Sequence, residues 1–281
     1  MPSNPSLSDA VIAAFFGAFI FLLLSAILAI GILFYYRDHV LIRKNTPRIS
    51  LIVLIGVSFG LIGSICLCFG AYDWSCNVNF ILIHVFGSLV FSGIIAKNYR
   101  IYKIFKNKSA TAIVIKDSQL FVIIGAIFVY FFLIFVLAIC TSYGAYQYSS
   151  EENAFYLYIE CSSSSYFWTV FIEIFIQVSA TILKFFALIL AFLTRNIAPS
   201  YSESYEILII LSIYFCVDIV TLPLYFELDN GSNSEILRTV LIFETTFITA
   251  ASTIIILFYS RFYRVYRYDK KYRNGRLDST L

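Results

Sequence analysis

Seven long apolar stretches constrain the fold of this 281-residue chain more than any other feature of its sequence. A helix rises about 1.5 Å per residue, so about 20 apolar residues are needed to cross a hydrocarbon core roughly 30 Å thick. The stretches that meet this requirement are residues 11–36, 49–70, 78–96, 119–143, 167–194, 207–226 and 239–260. We therefore expect an integral membrane protein.

The composition excludes a water-soluble fold. Hydrophobic residues make up 60% of the chain and charged residues 13%, so a globular core could not hide the apolar surface. Backbone groups in lipid must bond within their own element, and the stretches lack the alternation of barrel strands. The expected fold is an all-α, seven-transmembrane helix bundle over residues 11–260, between a short N-terminal segment, residues 1–10, and a basic tail, residues 261–281.

The distribution of positive charge orients this bundle, because cytoplasmic loops retain Lys and Arg whereas translocated loops exclude them. With the N-terminus outside, 18 of the 20 Lys and Arg residues fall on the cytoplasmic side. The exceptions are Arg238 in an outer loop and Lys184 within the fifth stretch. We expect an extracellular N-terminus and a cytoplasmic C-terminus, in a multi-pass protein of the plasma membrane.

Two cysteines fall at the outer surface in this orientation, Cys76 at the start of the third helix and Cys161 in the loop before the fifth. The compartment there is oxidising, so we expect a disulfide that fastens the second outer loop over the bundle. Two free thiols are the alternative, although exposed free cysteines are unusual outside the cell.

Five ionisable side chains lie inside the apolar stretches, where they are costly and usually face the bundle interior. Glu173 and Lys184 are roughly 16 Å apart along the fifth helix, too far to pair directly. His84, Glu173, Asp218 and Glu244 form a candidate intramembrane polar cluster. This cluster would serve a small ligand or a proton, and a structural hydrogen-bond network between helices is the alternative.

Lys97 ends the third stretch at the cytoplasmic face, and Glu203 and Glu206 open the sixth helix at the same face. A lysine–carboxylate pair there would hold the inner ends of two helices together, and its loss would let them separate. Solvated charges without any pairing are equally consistent with the spacing.

Motifs of several other functional classes are missing. The sequence holds no HExxH, nucleophile elbow or phosphate loop, so we expect no enzyme and no catalytic, cofactor or metal site. The seventh stretch has no lysine that could form a retinal Schiff base. The tail, SRFYRVYRYDKKYRNGR, favours anchoring to anionic membrane lipid, and we expect no nucleic-acid partner. Asn230 begins a glycosylation sequon close to the membrane, and its use is left open.

Three segments carry a family resemblance. AKNYRIYKIFKN, residues 96–107, and IKDSQLFVIIG, residues 115–125, resemble the third helix, second inner loop and fourth helix of GABA-B-type class C G-protein-coupled receptors. TRN at 194–196 resembles the end of that family's fifth helix. The positions of Cys76 and Cys161 are similar to the family's bridge between the third helix and the second outer loop.

The resemblance implies roles for individual residues. Lys97 matches the family's lysine at the inner end of the third helix, and Glu203 best matches its acidic partner, with Glu206 as second choice. Lys97 and Glu203 would then form an ionic lock that stabilises the inactive state. The seventh helix departs from the pattern, because Ser260-Arg261 stands where the family usually has Pro-Lys.

The resemblance also implies a function. The expected domain couples extracellular or partner-chain input to a heterotrimeric G protein at the cytoplasmic face, within a receptor homodimer or heterodimer. Only residues 1–10 precede the first stretch, where class C receptors have a bilobed ligand-binding domain, so either a longer receptor or a shortened member is implied. The alternatives are a non-signalling partner subunit of a receptor heterodimer and a proton- or ion-translocating transporter that uses the polar cluster.

Overall fold

The computed structural model of the chain describes residues 9–39, 42, 46–67, 72–106, 116–149, 157–162, 165–194, 203–227 and 234–273. These ranges contain seven long helices, numbered here in chain order. The helices are α1 (Asp9–Tyr35), α2 (Pro47–Leu67), α3 (Asp73–Phe80, Ile81–Phe86 and Ser88–Lys106), α4 (Asp117–Cys140), α5 (Tyr166–Thr194), α6 (Glu203–Glu227) and α7 (Ser234–Ser252, Thr253–Tyr259 and Ser260–Arg273).

The lengths of these helices match a bilayer. Six candidate membrane spans lie in the described residues, one in each of α1, α2, α3, α4, α5 and α7. α6 has 25 residues. At about 1.5 Å per residue such a helix also exceeds the roughly 30 Å hydrocarbon core. The described helices therefore confirm that the membrane bundle is built from α-helices, as expected.

The helices form one closed bundle with α3 at its centre. Each helix packs on the next along the chain, α7 closes on α1 and α2, and α3 also contacts α5 and α6. The largest buried cluster joins six of the helices around Leu54, Ile95 and Leu211. A second cluster, around Phe19 and Phe243, joins α1, α2 and α7. α3 therefore connects the two ends of the bundle through its centre.

Glycines let α2 and α3 approach closely. A Cβ atom at Gly63 would lie 2.8 Å from Cγ1 of Ile83, and one at Gly93 would lie 2.5 Å from Cγ2 of Val53. Small residues allow such close packing in membranes, where lipid provides no hydrophobic drive between helices. α2 and α3 consequently form a tight pair at two levels of the bundle.

The connection between α4 and α5 contains an antiparallel hairpin, which is a correction to a purely all-α fold. Its strands are β1 (Gly144–Ser149) and β2 (Leu157–Ser162). Each strand has only six residues, and the available signal was their three tyrosines, which fit strands better than helices.

Two contacts fasten this hairpin to the start of α3. The Asp73 carboxylate accepts a hydrogen bond from the Ala145 N–H at 2.8 Å, and Cys76 forms a disulfide with Cys161, their Cα atoms 5.4 Å apart. Asp73 and Cys76 share a face of α3 because they are three residues apart, and Ala145 lies opposite Cys161 in the hairpin. Gly144 permits the approach, since a Cβ there would lie 2.8 Å from the Asp73 carboxylate.

Two π-helical segments interrupt the regular helices, Ile81–Phe86 in α3 and Thr253–Tyr259 in α7. The second continues directly into Ser260–Arg273, so α7 extends through the first part of the expected basic tail. Serine at position 260 allows this, because proline would remove a backbone donor and end or kink the helix.

We predict that removing the disulfide destabilises the fold. Cys76→Ser with Cys161→Ser should lower the free energy of unfolding by about 3 kcal/mol, because the bridge closes a long loop in the unfolded chain. The matched control, Cys66→Ser with Cys140→Ser, removes two free thiols. Thermal melting of the purified protein in detergent measures both, and equal melting temperatures for the two variants would contradict the prediction.

Candidate functional site

The candidate site lies at one end of the bundle. We call the end that carries the hairpin the hairpin end, and the opposite end, where Lys97, Glu206 and Arg261 lie, the basic end. The sequence places Lys97 and Glu206 at one face, and the structure adds a contact from α2 to Lys97 and contacts from α7 to Glu206.

Ser50 of α2 is the meeting point of two buried cations at the basic end. Lys97 Nζ, on α3, donates a hydrogen bond to Ser50 Oγ at 2.6 Å, and Arg261 Nη1, on α7, donates to the same oxygen at 3.3 Å. Ser50 is 0% exposed, Lys97 is 3% exposed and Arg261 is 2% exposed. One hydroxyl thereby joins α2, α3 and α7.

The Glu206 carboxylate joins α6 to α7. Its Oε1 accepts hydrogen bonds from Arg264 Nη2 at 2.6 Å and from Ser260 Oγ at 3.1 Å. Ser260 and Arg264 are four residues apart, so both reach Glu206 from one face of α7. Glu206 lies just before the sixth apolar stretch, and burial raises the pKa of its carboxyl against the opposing charges of Arg264 and Lys97.

The structure describes the side chain of only one of the two acids expected to pair with Lys97. Glu206 bonds to α7, although its charge also acts on Lys97. The side chain of Glu203 lies outside the described residues, so the Lys97–Glu203 ionic lock stays a prediction. Sequence reasoning missed Ser50 and Arg264. The repeated spacing of three residues between basic side chains at the end of α7 was the available signal for Arg264.

A second link between α6 and α7 lies deeper in the bundle. The buried Tyr214 hydroxyl hydrogen bonds to Thr253 Oγ1 and donates to the Thr249 carbonyl at 3.2 Å. Thr253 opens the π-helical segment of α7. π-helical turns are frequent at functional sites, and this one is held by the tyrosine.

α5 and α6 are joined by an ion pair inside the apolar zone. Lys184 Nζ lies 2.8 and 2.9 Å from the two carboxylate oxygens of Asp218, and Thr181 Oγ1 donates to one of these oxygens at 3.3 Å. Charges in the hydrocarbon zone are costly unless paired, and this pair neutralises both. The partner of Lys184 was missed because helix rotation decides which residues face each other.

The depth of the two residues was the signal that could have found this pair. Lys184 lies ten residues before the end of α5 at Thr194, and Asp218 lies eleven residues after the start of the sixth stretch at Ile207. Consecutive helices run in opposite directions, so these positions lie at nearly the same depth.

The other members of the expected polar cluster, His84, Glu173 and Glu244, lie on α3, α5 and α7. The His84 ring packs edge-on against Phe80, 5.1 Å between centroids, and Glu244 is exposed on α7. Within the described part of the chain neither contacts Asp218. Glu173 is partly buried on α5. A cluster of all four groups stays a prediction.

The arrangement is suited to holding helices together. Among the described side chains, no group of three or more His, Cys, Asp or Glu residues could hold a metal ion. The polar contacts instead link α2, α3, α6 and α7 at the basic end and α5 to α6 at greater depth. These links can be broken one at a time, which is what a conformational switch requires.

Known proteins resemble this chain over most of its length. The family model described as "7 transmembrane sweet-taste receptor of 3 GCPR" matches residues 5–261. Metabotropic glutamate receptor-like proteins P, R and M of Dictyostelium discoideum are 27%, 25% and 28% identical over 83%, 89% and 88% of this chain. The matches cover 16%, 16% and 33% of these relatives, so the chain spans between about a sixth and a third of their length.

We predict that the Lys184–Asp218 pair is coupled. Asp218→Ala leaves Lys184 buried without its counter-charge and should lower the free energy of unfolding by about 3 kcal/mol. Lys184→Met in the same chain should recover much of this loss, because both charges are then absent. Thermal melting in detergent compares Asp218→Ala, Lys184→Met and the double variant, with Glu244→Ala as the control. Purely additive effects of the two substitutions would refute the coupling.

Proposed function

This chain belongs to the class C family of G-protein-coupled receptors, and on this basis we propose that it forms a receptor transmembrane domain that crosses the plasma membrane seven times and activates a heterotrimeric G protein. The seven described helices, including α6, supply the crossings. The hairpin end faces the extracellular side and the basic end faces the cytoplasm.

Charge and the disulfide both support this orientation. In this orientation the cytoplasmic segments of the sequence carry 18 of the 20 Lys and Arg residues, which cytoplasmic loops retain. The Cys76–Cys161 bridge lies at the opposite end, and disulfides persist in oxidising compartments. The two observations are independent and agree.

The Glu206 contact with α7 is the observation that carries the proposal. Its partners are on one helix, so loss of the carboxylate's charge frees the basic end of α6 from α7. Movement there exposes the inner surface of the bundle to a G protein. The surface offered comprises residues 37–48, 97–116, 195–206 and the tail.

Input reaches this site through α3. At the hairpin end α3 is fastened to the hairpin by Asp73 and Cys76, and at the basic end it carries Lys97. A shift of the hairpin, imposed by an extracellular segment or by a partner chain in a homodimer or heterodimer, would act on α3. Lys97 and Ser50 would then move together, because a hydrogen bond joins them.

Within class C, we favour a GABA-B-type receptor. Residues 96–107 and 115–125 support this assignment, since they resemble the third helix, second inner loop and fourth helix of that type. The assignment includes the Lys97–Glu203 ionic lock. In this account Glu206 adds a second restraint, which holds α6 to α7 rather than to α3.

We predict that Glu206→Gln raises basal signalling. The substitution removes an ion pair whose Arg264 side chain is 37% exposed, and such pairs contribute up to about 1 kcal/mol, which changes an equilibrium roughly fivefold. An energy-transfer reporter of G-protein dissociation, in cells that express the chain alone or with candidate partner receptors, measures the effect. Arg264→Gln should act in the same direction.

Ser212→Ala is the control, because it removes an exposed hydroxyl of α6 that donates to the Leu208 carbonyl of the same helix. It should leave basal signalling unchanged. If no G protein responds to the chain or its variants, alone or with partners, signalling by this domain is refuted in favour of a non-signalling partner subunit.

A further inference from the structure

An apolar groove runs along the outside of the bundle between α2, α3 and α4. Its volume is about 310 Å³, and it is open along one side. Ile52 and Ile55 of α2, Leu89 of α3, and Phe121 and Phe128 of α4 form its walls. The volume lies at the lower end of the range for small-molecule sites, about 300–1,000 Å³. The groove faces the hydrocarbon zone in the membrane orientation described above.

Two cations, Arg48 and Lys116, lie near the basic end of this groove, and a third, Lys103, lies further along α3. Arg48 lies one helical turn before the groove on α2, and the exposed Lys116 directly precedes α4. Lys103 of α3 lies over the ring of Tyr99, with Nζ 5.6 Å from the centroid. Tyr99 packs on the buried cluster that also contacts the groove walls. The same side of the bundle therefore carries an apolar slot and, at its end, positive charge.

One acid, Asp117, stands among these cations. Its carboxylate is 3.8 Å from Arg48 Nη1, so the contact reaches from α4 to α2 across the end of the groove. The Arg48 side chain is 75% exposed and that of Asp117 is 40% exposed. The N–H donors of a guanidinium can bind a further anion at the same time.

We propose that this groove binds an acyl chain of an anionic phospholipid, with the lipid phosphate held by Arg48 and Lys116. Arg48 and Lys116 lie four and five residues before the wall residues Ile52 and Phe121, and this order matches the change from headgroup to hydrocarbon in a leaflet. A second copy of this chain would need an apolar ridge ending in negative charge, whereas an anionic lipid has both parts. The proposal does not depend on G-protein coupling.

Gly125 allows the groove to be closed without disturbing the protein. It lines the groove, and a Cβ atom there would meet no heavy atom within 4 Å. Gly125→Leu therefore places a side chain in the slot itself. Gly17 of α1 is a matched control, because its surroundings are equally open and it is exposed outside the groove.

Photo-crosslinking in nanodiscs tests the proposal. The full chain is reconstituted in phosphatidylcholine with a minor share of phosphatidylserine that carries a diazirine in its acyl chain. After illumination, labelled peptides are mapped by mass spectrometry. Labelling should concentrate on residues 52–55 and 121–128. Gly125→Leu should reduce it to background, whereas Gly17→Leu should leave it unchanged.

A second arm tests the headgroup. Phosphatidylcholine with the same diazirine should label the groove less than phosphatidylserine, and Arg48→Gln with Lys116→Gln should abolish this difference. Equal labelling by the two lipids in the unmodified protein would overturn the proposal. Labelling spread evenly over all lipid-facing helices would also overturn it.

Discussion

The hydrogen bonds of Lys97 and Arg261 to one serine hydroxyl are the interaction on which the basic end depends. Removing two positive charges from water is costly, and a neutral hydroxyl is a weak counterpart for them. The charge of Glu206 acts on Lys97 and is bound to α7 through Arg264. The closed arrangement of α2, α3, α6 and α7 thus depends in part on charged contacts, so a change in charge can alter it.

α6 is linked to its neighbours at three levels. Asp218 bonds to α5, Tyr214 bonds to α7 beside the π-helical segment, and Glu206 bonds to α7 at the basic end. Glu206 and Asp218 are about 18 Å apart along the helix axis. Releasing Glu206 leaves the two deeper links in place, so the helix would pivot about them instead of leaving the bundle.

Much of the fold could be predicted because lipid imposes a length and a polarity on every crossing helix. The sixth stretch, 207–226, lies within α6, and the outer cysteines point to the disulfide that the structure contains. The hairpin could not be predicted as readily, because six-residue strands give a weak pattern beside long apolar stretches.

The side-chain partners were harder still to predict. Lys184 and Asp218 were both recognised as intramembrane charges, but their pairing depends on the rotation of two helices about their axes. Arg264 was assigned to the tail because the apolar stretch ends at Ser260, although the absence of proline there permits α7 to continue. Ser50 carries no charge, so only the structure shows that it receives two cations.

Double electron–electron resonance between spin labels on α6 and α7 most directly tests the claim that Glu206 holds the basic end of α6 against α7. Tyr205 and Tyr266 are 64% and 62% exposed, so each can be replaced by a spin-labelled cysteine. The cysteines outside the disulfide are first replaced by serine. We expect Glu206→Gln to shift the distance distribution to larger values and Ser212→Ala to leave it unchanged. An unchanged distribution in Glu206→Gln would show that the carboxylate does not hold α6 against α7.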